Sequence, residues 1–267
     1  MKEISREESR KIMLSILKDI AQFCDTNDIK YFLSSGTLIG AIRHQGYIPW
    51  DDDIDIEMPR PDYDRFIELY KANGNYAICT PSEPGSFFVY TKVYDKRTLK
   101  IESGIDYTRF KPLGIDVDIF PIDGQPPAHQ NVLFRKQVDR RVTYFSFFTS
   151  CICAAENKKF KSRIKIFVSR LIGKAFFYNL YAKSARSYDF NSSSMVGFIS
   201  PYSKYLNRHR KEVFQDRVKV PFEDGEYWAP IGYDEYLQNL YGDYMQLPPL
   251  EQQQTHHRNN IFWKDEK

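Results

Sequence analysis

The sequence has few cysteines, no internal repeat and no apolar run long enough to cross a bilayer. Its longest mostly apolar stretch, residues 144–155, falls well short of the about 20 residues that a membrane span requires. The four cysteines show neither the spacing of metal ligands nor the density of a disulfide framework. The N-terminus lacks the charged-then-apolar pattern of a signal peptide. We therefore expect a protein of a reducing, cytoplasmic compartment.

The chain also lacks a large excess of charge of either sign, since it has 38 Lys and Arg and 35 Asp and Glu. The charge is unevenly distributed, however. Residues 131–190 hold 13 basic against 3 acidic side chains, a local net charge of +10 that leaves −7 for the rest. The basic segment predicts either peripheral docking on an anionic membrane, on its inner face, or a solvated helical surface. No nucleic-acid-binding module accompanies the charge, so we expect no nucleic-acid partner.

Hydrophobic periodicity predicts an α+β (mixed α/β) fold, with a small mixed sheet flanked by helices and a helical elaboration. A capping box, Ser5 with Glu8, starts a helix that ends near Asn27. The predicted strands are 29–33, 53–58, 87–94 and 113–120, and a further helix covers 61–70. From Asn131 the pattern is helical, with an apolar stripe formed by Ile164, Phe167, Val168, Leu171, Ile172 and Ala175.

Four carboxylates fall within five positions, Asp51, Asp52, Asp53 and Asp55. In a strand, Asp53 and Asp55 would share one face while Ile54 and Ile56 face the core. Paired hard oxygen ligands suit Mg²⁺ or Mn²⁺, and Asp51 and Asp52 are secondary candidates for the same ion. An EF-hand is excluded, because isoleucine stands where its loop requires glycine. A solvated acidic turn stays open.

A second acidic pair, Asp116 and Asp118, alternates with apolar residues in the same way. Aspartates at alternate strand positions need a partner when one face of the strand is buried. If this strand lies beside the first, one of the pair completes a metal site. We favour Asp118, as a metal ligand or as the base that accepts the proton of an acceptor hydroxyl. Asp116 remains the alternative third ligand.

The turn Ser35-Gly36-Thr37 joins a predicted strand to a predicted helix. Such a turn exposes backbone N–H groups to a phosphate. Three basic side chains are predicted to neutralise phosphate charge. They are Arg43, His44 and Lys92. The adjacent His256 and His257 are weaker candidates for phosphate contact.

Together these residues resemble the LicD family of phosphocholine transferases, whose fold is that of the nucleotidyltransferase superfamily. The resemblance is carried by YFLSSGTLIGAIRHQGYIPWDDDID (31–55), DIFPID (118–123), and YGDYM (241–245) followed by LPP (247–249). Many family members have Gly-Gly-Thr where this chain has Ser35-Gly36-Thr37. The basic middle carries no motif of the family.

The resemblance implies that Gly36 and Thr37 bind the donor phosphates and that Asp53, Asp55 and Asp118 hold the metal. The implied reaction is an in-line displacement that transfers phosphocholine, or a related phospho-alcohol, from a CDP-activated donor to a glycan hydroxyl, releasing CMP. The acceptor would be a lipid-linked cell-surface glycan, such as lipopolysaccharide, teichoic acid or capsular polysaccharide. The implied division is a catalytic core (1–130), a basic helical segment (131–190) and a C-terminal part packing on the core (191–267).

Three other functions are weighed against this one. An ordinary nucleotidyltransferase would use the same three acids and release pyrophosphate. Only the products therefore distinguish it from a phosphocholine transferase, which releases CMP. Relatives that transfer ribitol phosphate or glycerol phosphate leave the alcohol open. A non-catalytic glycan- or membrane-binding protein is disfavoured, because an inactive relative has no physical reason to keep mutually repelling acids.

Overall fold

The computed structural model describes residues 1–83, 86–103, 105–108, 110–153, 159–199, 207–255 and 260–264. The helices are α1 (Arg6–Thr26), α2 (Ser35–Ile39), α3 (Arg60–Leu69), α4 (Asn131–Ile152), α5 (Phe160–Ile172), α6 (Lys174–Ala185) and α7 (Tyr233–Tyr241). A π-helical turn, Gly40–His44, continues α2, and 3-10 turns cover Lys211–Phe214 and Leu250–Gln252.

The strands are β1 (Phe32–Leu33), β2 (Asp55–Pro59), β3 (Tyr76–Cys79), β4 (Thr91–Asp95), β5 (Thr98–Ile101), β6 (Asp116–Gln125), β7 (Met195–Gly197), β8 (His209–Arg210), β9 (Arg217–Phe222), β10 (Gly225–Pro230) and β11 (Asn260–Trp263). The main sheet has the order β1-β2-β6-β4-β3. Strands β2 and β6 are parallel, and the other neighbours are antiparallel. The far half of β6 pairs with β7, which pairs with β8. The predicted α+β class is confirmed.

Helix α1 begins where its capping box predicts. The hydroxyl of Ser5 accepts a hydrogen bond from the backbone N–H of Glu8 at 3.2 Å, which satisfies a donor that the first helical turn leaves free. Ile16, Leu17 and Ile20 are fully buried on one face of the helix, which packs against the sheet. This helix therefore covers the side of the sheet core that its apolar periodicity predicts.

Strand β2 starts two residues later than predicted, at Asp55 rather than Asp53. Its neighbour β1 is only two residues long and pairs with Ile56 and Glu57 alone. The preceding loop is instead held by arginines of α1, because Arg6 and Arg10 both donate to the backbone carbonyl of Asp51. Asp53 therefore belongs to a loop. The predicted strand 87–94 is likewise shorter, and only β4 within it is paired.

Buried ion pairs tie the helical segment to the sheet. Asp123 of β6 is 1% exposed, and Arg60 Nε donates to its Oδ1 at 2.7 Å. Arg141 of α4 is fully buried, lies 3.6 Å from Asp123 Oδ2 and donates to the carbonyl of Ala185 at 3.0 Å. Removing one partner of such a cluster would leave an uncompensated buried charge. Helices α4 and α6 are thus anchored to the sheet through β6.

Helix α5 turns its apolar stripe away from the protein. Phe160, Phe167 and Leu171 are 77%, 69% and 77% exposed, whereas Ile166 and Ser169 on the opposite side are buried. The predicted stripe is present on α5 from Ile164 to Ile172 and faces outward, whereas Ala175 belongs to α6. Among the described residues, none of the helices combines the length and apolar character needed to span a bilayer.

Candidate active site

The two predicted acid strands lie side by side in parallel. In their register, Asp55 of β2 stands opposite Asp118 of β6, and Ile56 stands opposite Ile119. On the other side of β6, Lys92 of β4 is the antiparallel partner of Asp118. Because side chains at paired positions share a face of the sheet, these two carboxylates and one ammonium form a row across three strands. We call this row the acid rung.

Two lysines hold the far side of the acid rung. Lys92 Nζ lies 2.7 Å from Asp118 Oδ1 and 3.0 Å from Asp116 Oδ2, and Lys100 also bonds to Asp116. Burial would raise the pKa of Asp116, but Lys100 and Lys92 outweigh it and hold that pKa below its usual value. Asp116 is thus committed to two cations, whereas Asp118 shares one and stands directly opposite Asp55. This geometry favours Asp118 over Asp116 as the acid that works with Asp55.

The loop before β2 brings more negative charge. Asp51, Asp52 and Asp53 each offer a carboxylate oxygen, and these three oxygens lie within 4.8 Å of one another. Among the described residues, this is the group of acids close enough together to hold one metal ion. Burial, followed by repulsion from Asp53, raises the pKa of Asp51 to about 8. Burial also raises the pKa of Asp55 well above its usual value, with Asp53 and Asp118 adding to the shift.

Burial is the first cause of both shifts and the neighbouring carboxylates add to it, so a nearby positive charge would stabilise the ionised acids. Clustered carboxylate oxygens are the donor set that Mg²⁺ and Mn²⁺ prefer, so the residues present suit a divalent cation. The loop supplies Asp53, and the acid rung supplies Asp55 and Asp118. That these three share one ion stays a prediction.

The small-residue turn lies against the acidic loop. A Cβ on Gly36 would come within 2.7 Å of Asp51 Oδ2, so a side chain at this position would displace the carboxylate. Ser35 takes a left-handed backbone conformation, with φ of 48°, as it enters α2. Ser35 and Gly36 line a cavity with Asp53 and Asp55. The turn and the acids therefore face one space.

Thr37 is buried, and its side chain contacts the protein backbone. Its side chain is 3% exposed, and its hydroxyl accepts a hydrogen bond from the backbone N–H of Asp55 at 2.9 Å. The N–H groups and carbonyls of a buried backbone need partners, so this bond fixes the start of β2. Phosphate binding by Thr37 stays a prediction. The contact that the structure gives it is to the backbone of the acid rung.

Two cavities are lined by carboxylates of the acid rung. The smaller, of about 110 Å³, is lined by Asp52, Asp53, Lys92 and Asp118. The larger, of about 420 Å³, is called the ring cavity here because four aromatic rings line it. The rings are Trp50, Phe120, Phe198 and Tyr241. Four carboxylates line it as well, those of Asp51, Asp53, Asp55 and Glu57.

Glu57 is a site residue that the motif analysis missed. It is 2% exposed and stands opposite Phe120. This pair lies two residues along the strands from Asp55 and Asp118, on the same face of the sheet. Burial raises its pKa to about 7, although Tyr236 and Asn207 donate hydrogen bonds to it. The available signal was the strand alternation itself, since Glu57 follows Asp55 by two positions.

Three predicted phosphate ligands, Arg43, His44 and Lys92, make contacts with other parts of the protein. Arg43 donates to the carbonyls of Tyr244 and Gln246 at 2.6 and 3.2 Å, and to His44 Nε2 at 2.9 Å. Burial, followed by the Arg43 charge, lowers the pKa of His44. The described lining of the ring cavity includes neither of them. Lys92 lies in the acid rung. The predicted candidates His256 and His257 lie outside the described residues.

Comparison with known proteins adds sequence relatives to this geometry. A model of the family described as "LicD/FKTN/FKRP, nucleotidyltransferase domain" matches residues 28–162. A "Lipopolysaccharide cholinephosphotransferase LicD" of Haemophilus influenzae is 31% identical over 275 residues, which is 98% of this chain and 99% of that protein. An uncharacterised protein of Rickettsia typhi is 29% identical over 139 residues, 40% of this chain and 45% of its own length.

Replacing Thr37 with valine should destabilise the protein, because it removes the acceptor of the Asp55 N–H and keeps the shape. The expected loss is about 1–3 kcal/mol in the free energy of unfolding, the cost of a buried donor left unpaired. Thr37→Ser keeps the hydroxyl and is the matched control. Urea denaturation measures both. Equal stability of Thr37→Val and wild type would show that this bond does not fix β2.

Proposed function

This chain belongs to the LicD family, and from that membership we propose that it is a LicD-type phosphotransferase that moves phosphocholine to a hydroxyl of a lipopolysaccharide-type glycan. The match of 31% identity along nearly the whole of both chains supports the reaction. The observation in the structure that carries the proposal is the acid rung. It sets Asp55 beside Asp118, next to the turn that Ser35 and Gly36 form.

The proposed donor is CDP-choline, and CMP is the leaving group. The acceptor hydroxyl attacks the phosphorus that carries choline, the bond from that phosphorus to the oxygen of CMP breaks, and the hydroxyl proton passes to Asp118 or to another nearby carboxylate. Such a reaction depends mainly on positioning and on neutralisation of charge. Ser35 and Gly36 border the space for the phosphates, and Lys92 keeps Asp118 oriented.

We propose Mg²⁺ or Mn²⁺ as the cofactor. Asp53, Asp55 and Asp118 would hold it. Among the described residues, the acids whose oxygens already lie within 4.8 Å of one another are Asp51, Asp52 and Asp53, so the side chains of Asp55 and Asp118 would have to turn toward Asp53 to share the ion. A divalent cation would neutralise charge on the transferred phosphate and the leaving group. It would also offset the burial and the neighbouring negative charges that raise the pKa of Asp55. The protein itself contributes the fixed register of two strands and the loop held by Arg6 and Arg10.

The acceptor is proposed to be lipid-linked, and α5 to bring the enzyme to the membrane that carries it. Phe160, Ile164, Phe167 and Leu171 form one exposed apolar ridge along this helix. Lys161 and Arg163 project beside the ridge, one on each side, and both are exposed. An exposed apolar ridge between cations is the pattern of a helix that lies in the interface of an anionic bilayer. Charge complementarity therefore selects an anionic lipid surface as the partner.

Incubation with CDP-choline, Mg²⁺ and lipopolysaccharide should release CMP and label the acceptor. Asp118→Asn should lower the rate at least about a hundredfold, because it removes charge where the transition state forms. Asp224→Asn is the control, since Asp224 is an exposed residue paired with Lys18 on α1. CDP-glycerol and CDP-ribitol run in parallel. Release of pyrophosphate from a nucleoside triphosphate, with no CMP from any CDP-alcohol, would establish a nucleotidyltransferase instead.

Wild-type protein should float with vesicles of phosphatidylcholine and phosphatidylglycerol, and less well with phosphatidylcholine alone. The double variant Phe167→Ser, Leu171→Ser should bind at least about tenfold more weakly, because each side chain loses its apolar transfer free energy. Leu250→Ser is a matched control, as Leu250 is 79% exposed and Leu171 77%. Equal flotation of the double variant and the control would exclude α5 as the docking element.

A further inference from the structure

The ring cavity lies one step along the sheet from the acid rung. On β2 and β6, the next pair that faces the same way is Glu57 and Phe120. Two strand residues span about 6.6–6.8 Å, so this second pair begins roughly that far from the acids. Phosphocholine has four bonds between phosphorus and nitrogen, roughly 5 Å when extended. A phosphate at the acid rung would therefore place its nitrogen near Glu57 and Phe120.

Two of the aromatic rings of the cavity are in contact, since the ring centroids of Phe120 and Phe198 lie 4.9 Å apart. The ring of Phe120 also lies 4.4 Å from that of Tyr90, which is outside the described lining of the cavity. Trp50 and Tyr241 complete the walls. Ring faces carry partial negative charge and attract cations, and an aromatic cage is the recognised binding site for quaternary ammonium groups. The volume of about 420 Å³ lies within the about 300–1,000 Å³ typical of small-molecule sites.

The charge of the cavity has one sign. Four carboxylates line it, and none of its described lining residues is Lys, Arg or His. A polyol finds hydrogen-bond acceptors in these carboxylates, but it carries no charge for the walls and the ring faces to attract. Charge therefore favours a positively charged alcohol over ribitol or glycerol.

Glu57 provides the independent observation. Its Oε1 accepts from Tyr236 Oη at 3.2 Å and from Asn207 Nδ2 at 3.3 Å, while its Oε2 has no hydrogen-bond partner among the described atoms. The side chain is 2% exposed, so the unpaired oxygen is not compensated by bulk water. A buried carboxylate oxygen without a partner is costly unless a cation or donor reaches it. Two neighbours thus hold Glu57 in place in the wall of the ring cavity, where one buried oxygen of its carboxylate has no partner among the described atoms.

We propose that the ring cavity binds the trimethylammonium group of the transferred phosphocholine, with Phe120 and the other rings as the cage and Glu57 as the counter-ion. This inference rests on the proposed function, because it assigns one end of the proposed donor. It also selects choline among the alcohols that the family resemblance leaves open. Glu57 and Phe120 act as specificity-determining residues, and Asp55 and Asp118 serve the phosphate.

Phosphocholine and its neutral isostere 3,3-dimethylbutyl phosphate test the cage without turnover, by calorimetry in the presence of Mg²⁺. The wild type should bind phosphocholine at least about tenfold more tightly than the isostere. Phe120→Leu should weaken phosphocholine between about threefold and 30-fold, the range of one cation–π contact, and leave the isostere nearly unchanged. Glu57→Gln retains an acceptor for Tyr236 and Asn207 and should also lose the preference for the cation. Phe176→Leu, an exposed ring on α6, is the control.

The results separate the cage from the reaction. Equal binding of both phosphates by the wild type, or an unchanged preference in both Phe120→Leu and Glu57→Gln, overturns the cage even when CDP-choline yields CMP. A cation preference that both variants lose supports the cage even when no CDP-alcohol yields CMP, and only the proposed reaction then fails. With CDP-choline and CDP-ethanolamine as competing donors, the variants should lower the choline-to-ethanolamine ratio of kcat/KM.

Discussion

The parallel pairing of β2 with β6 is the constraint on which the site depends. It sets Asp55 opposite Asp118 at adjacent positions of one sheet face. Two unit charges 4 Å apart repel by about 4 kcal/mol at the effective dielectric of a protein surface, so the pairing costs free energy unless cations balance it. Lys92 supplies one cation from β4 for these two carboxylates, and burial, followed by Asp53 and Asp118, raises the pKa of Asp55. A divalent ion fits the remaining deficit.

The other parts of the site follow from that rung. The Thr37 hydroxyl fixes the backbone of Asp55, which aligns the small-residue turn with the acids. The guanidinium of Arg10 donates to backbone carbonyls of the acidic loop, those of Ile48 and Asp51. These bonds hold the loop through its backbone, so its carboxylates remain turned toward the site. The alternation of the same two strands then brings Glu57 and Phe120 to the ring cavity. A single register thus fixes both the acid cluster and the group beside it.

Local patterns predicted the features that depend on neighbours in sequence. The capping box at Ser5, the alternation that buries Ile54 and Ile56, and the helices after Asn131 are of this kind. Features that depend on the pairing of strands far apart in the sequence could not be predicted from local patterns. The partner strand of Lys92 and the late start of β2 depend on which strands meet. Periodicity found the stripe on α5 but could not tell whether it faces the core or the outside.

The most direct measurement is the binding of Mn²⁺, followed by the electron paramagnetic resonance signal of the free ion. One ion per chain should bind, and excess Mg²⁺ should displace it. Asp55→Asn and Asp118→Asn, on different strands, should each weaken binding at least about tenfold, because each removes a charged ligand. Asp224→Asn, away from the site, should bind as the wild type does. Unchanged affinity in either strand variant would contradict an ion shared between β2 and β6.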